Sequence, residues 1–407
     1  MLTTMVNTAG STKARLRKKD VIRSFIPVAE NSRAGLKKQL AYPFFYCPTR
    51  PPCYIVRLPK TEKPMAAKKS AYAEAGVDID VMMNSLQRIK KNVKTTSTKG
   101  VMSEIGSFGG LFQSPGKEFL LVASADGVGT KLKVAHMAGK HTTVGQDLVN
   151  HCVNDILVQG ATPLFFLDYL GTAALSGKVF EDVIAGFCKA CRENGCALLG
   201  GETAEMPGLY PKGEYDLVGT IVGQVEKKKL ITGKTIRKGD VIIGLPSTGL
   251  QTNGYSLARK VIFEKAGKKL SDLVPGTKLT FEKVLLAIHK SYLKPVVALM
   301  NKVQVRGMAH ITGGGLVDNV PRVLPKTVDA VFDRSTWKTP AIYEFIEKEG
   351  NVDHEEMYRV FNMGIGMVIF VRPDDANTAL AAIRKAGEKA IIIGRVEKGT
   401  GISRLIN

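Results

Sequence analysis

The stretch FLLVASADGVGTK (Phe119–Lys131) decides how this chain is read. Its apolar half is short enough for a buried strand, and the periodic segment from Leu132 reads as a helix. Asp126, Gly127, Gly129, Thr130 and Lys131 therefore fall on a strand-to-helix turn. Backbone N–H groups and the helix dipole favour phosphate at such a turn. An aspartate there offers hard oxygen to Mg²⁺, and a lysine can neutralise phosphate oxygens. The G-x-x-x-x-G-K-[ST] spacing of a Walker loop is missing. Taken alone, the string reads equally as a phosphate site or as an ordinary glycine turn.

Around it the pattern alternates. Strand-like runs fall at 119–123, 164–170, 216–225, 241–245, 308–311, 328–332, 366–371 and 391–396. Helical patterns fall at 144–159, 179–194, 256–266, 281–303 and 374–386. Alternation of this kind predicts an α/β fold or α+β layers. The polar segment Glu226 to Asp240 is a candidate boundary, giving an N-terminal domain over 65–230 and a C-terminal one over 231–407.

The formal charge of +21 is unevenly spread. Residues 1–64 hold 13 Lys and Arg against three acids, so the remaining chain carries only +11. A mildly basic enzyme handling anionic substrates accounts for that remainder. No basic run interleaved with aromatics suggests nucleic acid, and no apolar run reaches the length of a membrane span. Segment 1–64 reads as a basic leader or a transit peptide. Met65 opens a plausible start, which implies a cytoplasmic protein, with an organellar one as the alternative. Cys188, Cys191 and Cys196 read as reduced thiols, and the six scattered histidines suggest no zinc.

Further glycine-rich loops sit at the edges of predicted elements. Gly106-Ser107-Phe108-Gly109-Gly110 can bring backbone amides close to phosphate. Asn154 and Asp155 lie among apolar residues on the helix from Val144, where a carboxylate needs a partner such as a metal ion. Gly200 to Gly208 reads as a loop carrying Glu202 and Glu205, either of which could bind magnesium or a ribose hydroxyl, or cap a turn. Thr312-Gly313-Gly314-Gly315 precedes a helix start, an anion-site arrangement. His310 beside it reads as a structural hydrogen-bonder.

These motifs occur together with AGVDID (75–80), CVND (152–155), GGETAEMPG (200–208), NGYSL (253–257), HITGGG (310–315) and FNMGIGM (361–367). In that order the chain resembles the phosphoribosylformylglycinamidine cyclo-ligase, or AIR synthetase, family over roughly residues 70 to 400. The resemblance implies a two-domain fold whose N-terminal mixed sheet forms a shared β-barrel at a homodimer interface, beside a C-terminal α/β domain. It implies ATP-dependent closure of formylglycinamidine ribonucleotide to 5-aminoimidazole ribonucleotide in purine synthesis, through phosphorylation of the amide oxygen, with ATP and Mg²⁺. On these positions it makes Asp126 and Asp155 the magnesium carboxylates, and Lys131 and Lys90 the groups that neutralise the phosphoryl. The loop from Gly106 to Gly110 would close over the nucleotide. Asn154 and Glu202 would contact ATP, and the Thr312–Gly315 turn the substrate or phosphate.

One position departs from the family. A histidine is common two residues before the asparagine of NGYSL, and Gln251 stands there. Glutamine can hydrogen-bond an oxyanion but cannot exchange a proton near neutral pH. Two alternatives follow: another ATP-using enzyme of the superfamily, or a catalytically impaired binding protein.

Overall fold

The computed structural model describes residues 70–74, 102–104, 110–114 and 116–407. The leader 1–64, the 75–80 motif, Lys90 and Gly106, Ser107, Phe108 and Gly109 lie outside the described residues. Two sheets carry the fold. The first has the order β1 (Gly110–Gln113), β2 (Phe119–Gly127), β5 (Tyr215–Glu226), β3 (Thr162–Thr172) and β4 (Ala197–Glu205). Alternation along the central strand β5 turns Tyr215, Leu217, Ile221 and Val225 into the core. It pairs antiparallel with β2 and with β3, both in register at Gly219. Gly219 is glycine for a reason: a Cβ there would lie 2.1 Å from the ring of Phe166.

Helices α1 (Lys131–Ala138), α2 (Thr142–Leu157) and α3 (Gly177–Asn194) follow β2 and β3. Helix α2 is buried at every position from Val144 to Leu157. It crosses α3 so closely that a Cβ on Gly145 would stand 2.4 Å from the Val183 carbonyl oxygen. The DGVGTK segment is a strand-to-helix turn as expected, with β2 ending at Gly127 and α1 opening at Lys131.

The second sheet has the order β11 (Ser403–Ile406), β8 (Val328–Asp333), β10 (Ile391–Lys398), β6 (Val241–Pro246), β9 (Ile365–Val371) and β7 (Gly307–His310). Every residue of β9 is buried, because both of its faces are covered. Val368 and Phe370 join the larger core, which runs on through Leu148 and Phe166 beneath the first sheet. Met367, Ile369 and Val371 face a smaller core built by Val296, Leu299, Ala379 and Ile383.

Two segments differ from their sequence reading. The glycine-flanked loop expected from Gly200 continues as strand to Glu205, in parallel register with β3. Gly201 serves close packing: a Cβ there would meet the Asp168 carboxylate at 2.3 Å. The single helix expected over 281–303 is two, Phe281–Leu285 and Leu293–Met300, joined by an irregular strap. Pro295 explains the break, since proline is tolerated only in the first turn of a helix.

Candidate active site

Besides Gln146, which bonds back to the Thr142 carbonyl of its own helix, helix α2 carries five polar side chains into the interior: Asp147, Asn150, His151, Asn154 and Asp155. Buried polar groups must be satisfied, and three of these are satisfied by the strap. Asp147 accepts from the His289 amide (2.7 Å). Asn150 donates to the His289 carbonyl (2.7 Å). Asn154 donates to the Lys290 carbonyl (2.8 Å) and accepts from the Tyr292 amide (2.9 Å).

This arrangement engages two of the expected site residues. Lys131 does not face a phosphate site. Its ammonium pairs with Asp147 at 2.8 Å, both side chains fully buried, and donates to the Ala287 carbonyl at 2.7 Å. Burial pulls the lysine's pKa down and the Asp147 charge draws it back up. Asn154 has both ends of its amide engaged by the strap backbone, which it clamps.

The other two polar residues of α2 line a pocket of about 310 Å³ between the sheets. Ser124 and Asp126 enter it from β2, His151 and Asp155 from α2, and Asn253, Thr312, Gly313 and Arg322 from the C-terminal half. Asp126 and Asp155 are thus brought together as expected. Burial pushes Asp126 up to about 7, with the neighbouring Asp155 charge adding to the rise. Burial raises Asp155 to about 6 against the hydrogen bonds it receives, including one from Ser124 Oγ at 3.2 Å. Two carboxylates facing one space, each reluctant to ionise there, fit a cation between them.

Three of the scattered histidines cluster here, His151 in the pocket lining and His289 and His310 buried behind it. His310 Nδ1 lies 2.7 Å from Asp155 Oδ1, and its Nε2 lies 3.0 Å from His289 Nε2. His289 Nδ1 lies 3.2 Å from Thr252 Oγ1, which lies 2.7 Å from His151 Nδ1. His151 Nε2 then faces Asp126 and Asp155. The groups form a nearly closed ring of hydrogen bonds. Burial depresses all three imidazoles, His151 to about 4 and His310 to about 3, so each is neutral at pH 7. His310 is the structural hydrogen-bonder expected, with a carboxylate as partner. The H-x-x-x-D spacing of His151 and Asp155 on one helix face was a sequence signal for the pair. Nothing local pointed to His289 or Arg322.

Elsewhere the expected residues are dispersed. Thr312 and Gly313 line the pocket, whereas Gly314 and Gly315 take positive φ to turn the chain into Gly315–Asn319. A Cβ on Gly315 would collide with the Tyr358 carbonyl oxygen at 1.9 Å. Gly127, Gly129 and Thr130 form the turn above α1, exposed to solvent, and Thr130 Oγ1 meets Ser256 Oγ at 3.0 Å. Gly110 begins β1, and Glu202 is exposed on the edge strand β4, separated from β2 by β5 and β3. Gln251 is buried at φ +62° and donates from its amide to Tyr292 Oη (3.0 Å), outside the pocket lining.

Comparison with known proteins gives a consistent picture. Residues 109–225 match the family described as AIR synthase related protein, N-terminal domain, and residues 237–407 match its C-terminal domain. The phosphoribosylformylglycinamidine cyclo-ligase of Alkaliphilus metalliredigens is 46% identical over 339 residues, covering 83% of this chain and 98% of that protein. Among solved structures, thiamine-monophosphate kinase from Stenotrophomonas maltophilia aligns over 78% of this chain and 94% of its own, with TM-score 0.54 and 16% identity. The hydrogenase maturation protein HypE in complex with ATP aligns over 70% and 81%, with TM-score 0.52 and 19% identity. At such identities these two likenesses concern the fold alone.

The Lys131–Asp147 pair makes a stability prediction. Lys131→Met strands a buried carboxylate and is expected to cost about 3–5 kcal/mol, read by urea denaturation. Adding Asp147→Leu should restore much of the loss. A single-variant loss below about 1 kcal/mol contradicts the pairing.

Proposed function

The chain belongs to the AIR synthase related family, as a phosphoribosylformylglycinamidine cyclo-ligase, and from that premise we propose how its pocket works. The enzyme is a ligase of purine synthesis that closes the imidazole ring of formylglycinamidine ribonucleotide at the expense of ATP. An amide oxygen is a poor leaving group. Phosphorylation converts it to an iminophosphate, the amidine nitrogen attacks the activated carbon, and phosphate departs as 5-aminoimidazole ribonucleotide forms. Such a transfer needs mainly positioning and compensating charge.

The carrying observation is the convergence of Asp126 and Asp155, from two separate elements, on one pocket beside Arg322. These carboxylates would hold Mg²⁺, which when bound neutralises phosphate oxygens. Arg322 would take the role sought in Lys131: a guanidinium at the pocket wall, whose pKa burial lowers and the charges of Asp155, Asp318 and Asp126 draw back up. Arginine matches phosphate geometry bidentately. Asn253 and Thr312 present neutral hydrogen-bonding groups to the substrate. Gln251 supports Tyr292 and stays out of the chemistry, so its departure from the family pattern carries no impairment. The proposed site of this reaction is the cytoplasm.

The first sheet supports a homodimer. One face is covered by α2 and α3, while Leu167 and Val218 on the other are 37% exposed and Leu199 on β4 is 63% exposed. An apolar sheet face of this kind calls for a covering layer, and the family's shared barrel supplies one from a second copy. Sedimentation equilibrium is expected to give twice the 44.1 kDa chain mass, falling to a single mass in Val218→Asp. A monomeric wild type at micromolar concentration contradicts the assignment.

The purified protein is expected to convert formylglycinamidine ribonucleotide and ATP to aminoimidazole ribonucleotide, with an added divalent cation such as Mg²⁺ required. Asp126→Asn and Arg322→Ala should each lower kcat/KM by about 10²-fold or more. Gln251→His should bring no gain. Absence of product from folded protein, or a gain of about 10²-fold in Gln251→His, overturns this reading.

A further inference from the structure

The pocket offers a nitrogen to the same space as its two carboxylates. His151 and Asp155 stand one turn apart on α2, and Asp126 reaches them from the end of β2. His151 Nε2 lies 3.5 Å from Asp126 Oδ2 and 3.9 Å from Asp155 Oδ2. Both separations exceed a normal hydrogen bond. They suit the edges of a coordination shell, since donors bound about 2.0–2.2 Å from one ion sit about 3–4 Å apart.

What Nε2 presents follows from the rest of the ring once Asp155 acts as a carboxylate. With Asp155 ionised, its 2.7 Å contact requires the proton on His310 Nδ1. Neutral His310 then accepts at Nε2, so His289 donates from Nε2 and accepts at Nδ1. Thr252 must donate its hydroxyl proton to His289 and accept from His151 Nδ1. That leaves His151, itself only 5% exposed, with a bare lone pair on Nε2 aimed at the carboxylates. His310 cannot serve as the ligand, because both its nitrogens are engaged. It orients Asp155 from behind, as partners of metal-bound carboxylates do.

We propose that this pocket binds its divalent cation through Asp126, Asp155 and Nε2 of His151, and so favours a nitrogen-accepting ion such as Mn²⁺ over Mg²⁺. The proposal rests on the reading of the two aspartates as the metal carboxylates. Imidazole is a poor match for the hard Mg²⁺ ion, whereas Mn²⁺ accepts carboxylate and imidazole together. Thr252 and His289 are then positioning residues that hold the imidazole in its ligating tautomer.

Mn²⁺ alone, titrated into the full chain and followed by electron spin resonance, provides the test. One ion should bind per chain, and spin-echo spectra should show modulation from a directly bound ¹⁴N that changes when histidines are ¹⁵N-labelled. His151→Asn should abolish the modulation and weaken Mn²⁺ by about tenfold or more, with Mg²⁺ affinity altered far less. The labelled wild type is decisive without any variant. Bound Mn²⁺ with no coordinated nitrogen overturns the proposal and leaves the carboxylate site standing. No Mn²⁺ binding, or binding indifferent to Asp126→Asn, overturns both.

Discussion

Everything at this site depends on one requirement: the polar face of helix α2 is buried and must find partners. A helix closed in from Val144 to Leu157 leaves no route to water for Asp147, Asn150 or Asn154. An unsatisfied buried group costs about 1–3 kcal/mol, and a stranded charge more. The chain answers with a segment that is not helical. Because the strap between Leu285 and Leu293 leaves its backbone groups unpaired internally, it can offer amides and carbonyls to the side chains of α2. Regular helix there would have withdrawn them.

The same requirement places the chemistry. Gripping the strap at His289 and Tyr292 sets the His289 ring against His310 and Thr252, which sets His151 in turn. Tyr292, held by Asn154 at its amide, is steadied at its hydroxyl by Gln251 and the Pro246 carbonyl. Lys131 closes the opposite end through Asp147 and Ala287. A pocket drawn from β2, α2 and loops of the C-terminal half is thereby fixed by contacts that lie behind its wall.

How far the sequence foretold this depends on range. The DGVGTK turn was legible because an apolar run, two glycines and a new helical period are local signals, and Asp126 stood out with it. Asp155 was legible as a carboxylate among apolar neighbours. Lys131 was misassigned because its partner, Asp147, is sixteen residues away along two helices, and the Ala287 carbonyl lies far beyond local pattern. Strand β4 was hidden by Gly200 and Gly201, which look like loop residues, although Gly201 serves close packing against Asp168. Pro295 did mark the broken helix, although the apolar period ran straight through it. His289 was out of reach, since an irregular strap has no period to read.

Amide hydrogen exchange at His289 and Tyr292 tests the central claim most directly. Both amides donate to buried side chains of α2, so they should exchange as slowly as the core strand β9 despite lying in an irregular segment. In Asn154→Ala the Tyr292 amide should speed up by about tenfold or more. Exchange of both amides at the rate of an open loop in the unaltered protein would contradict the account.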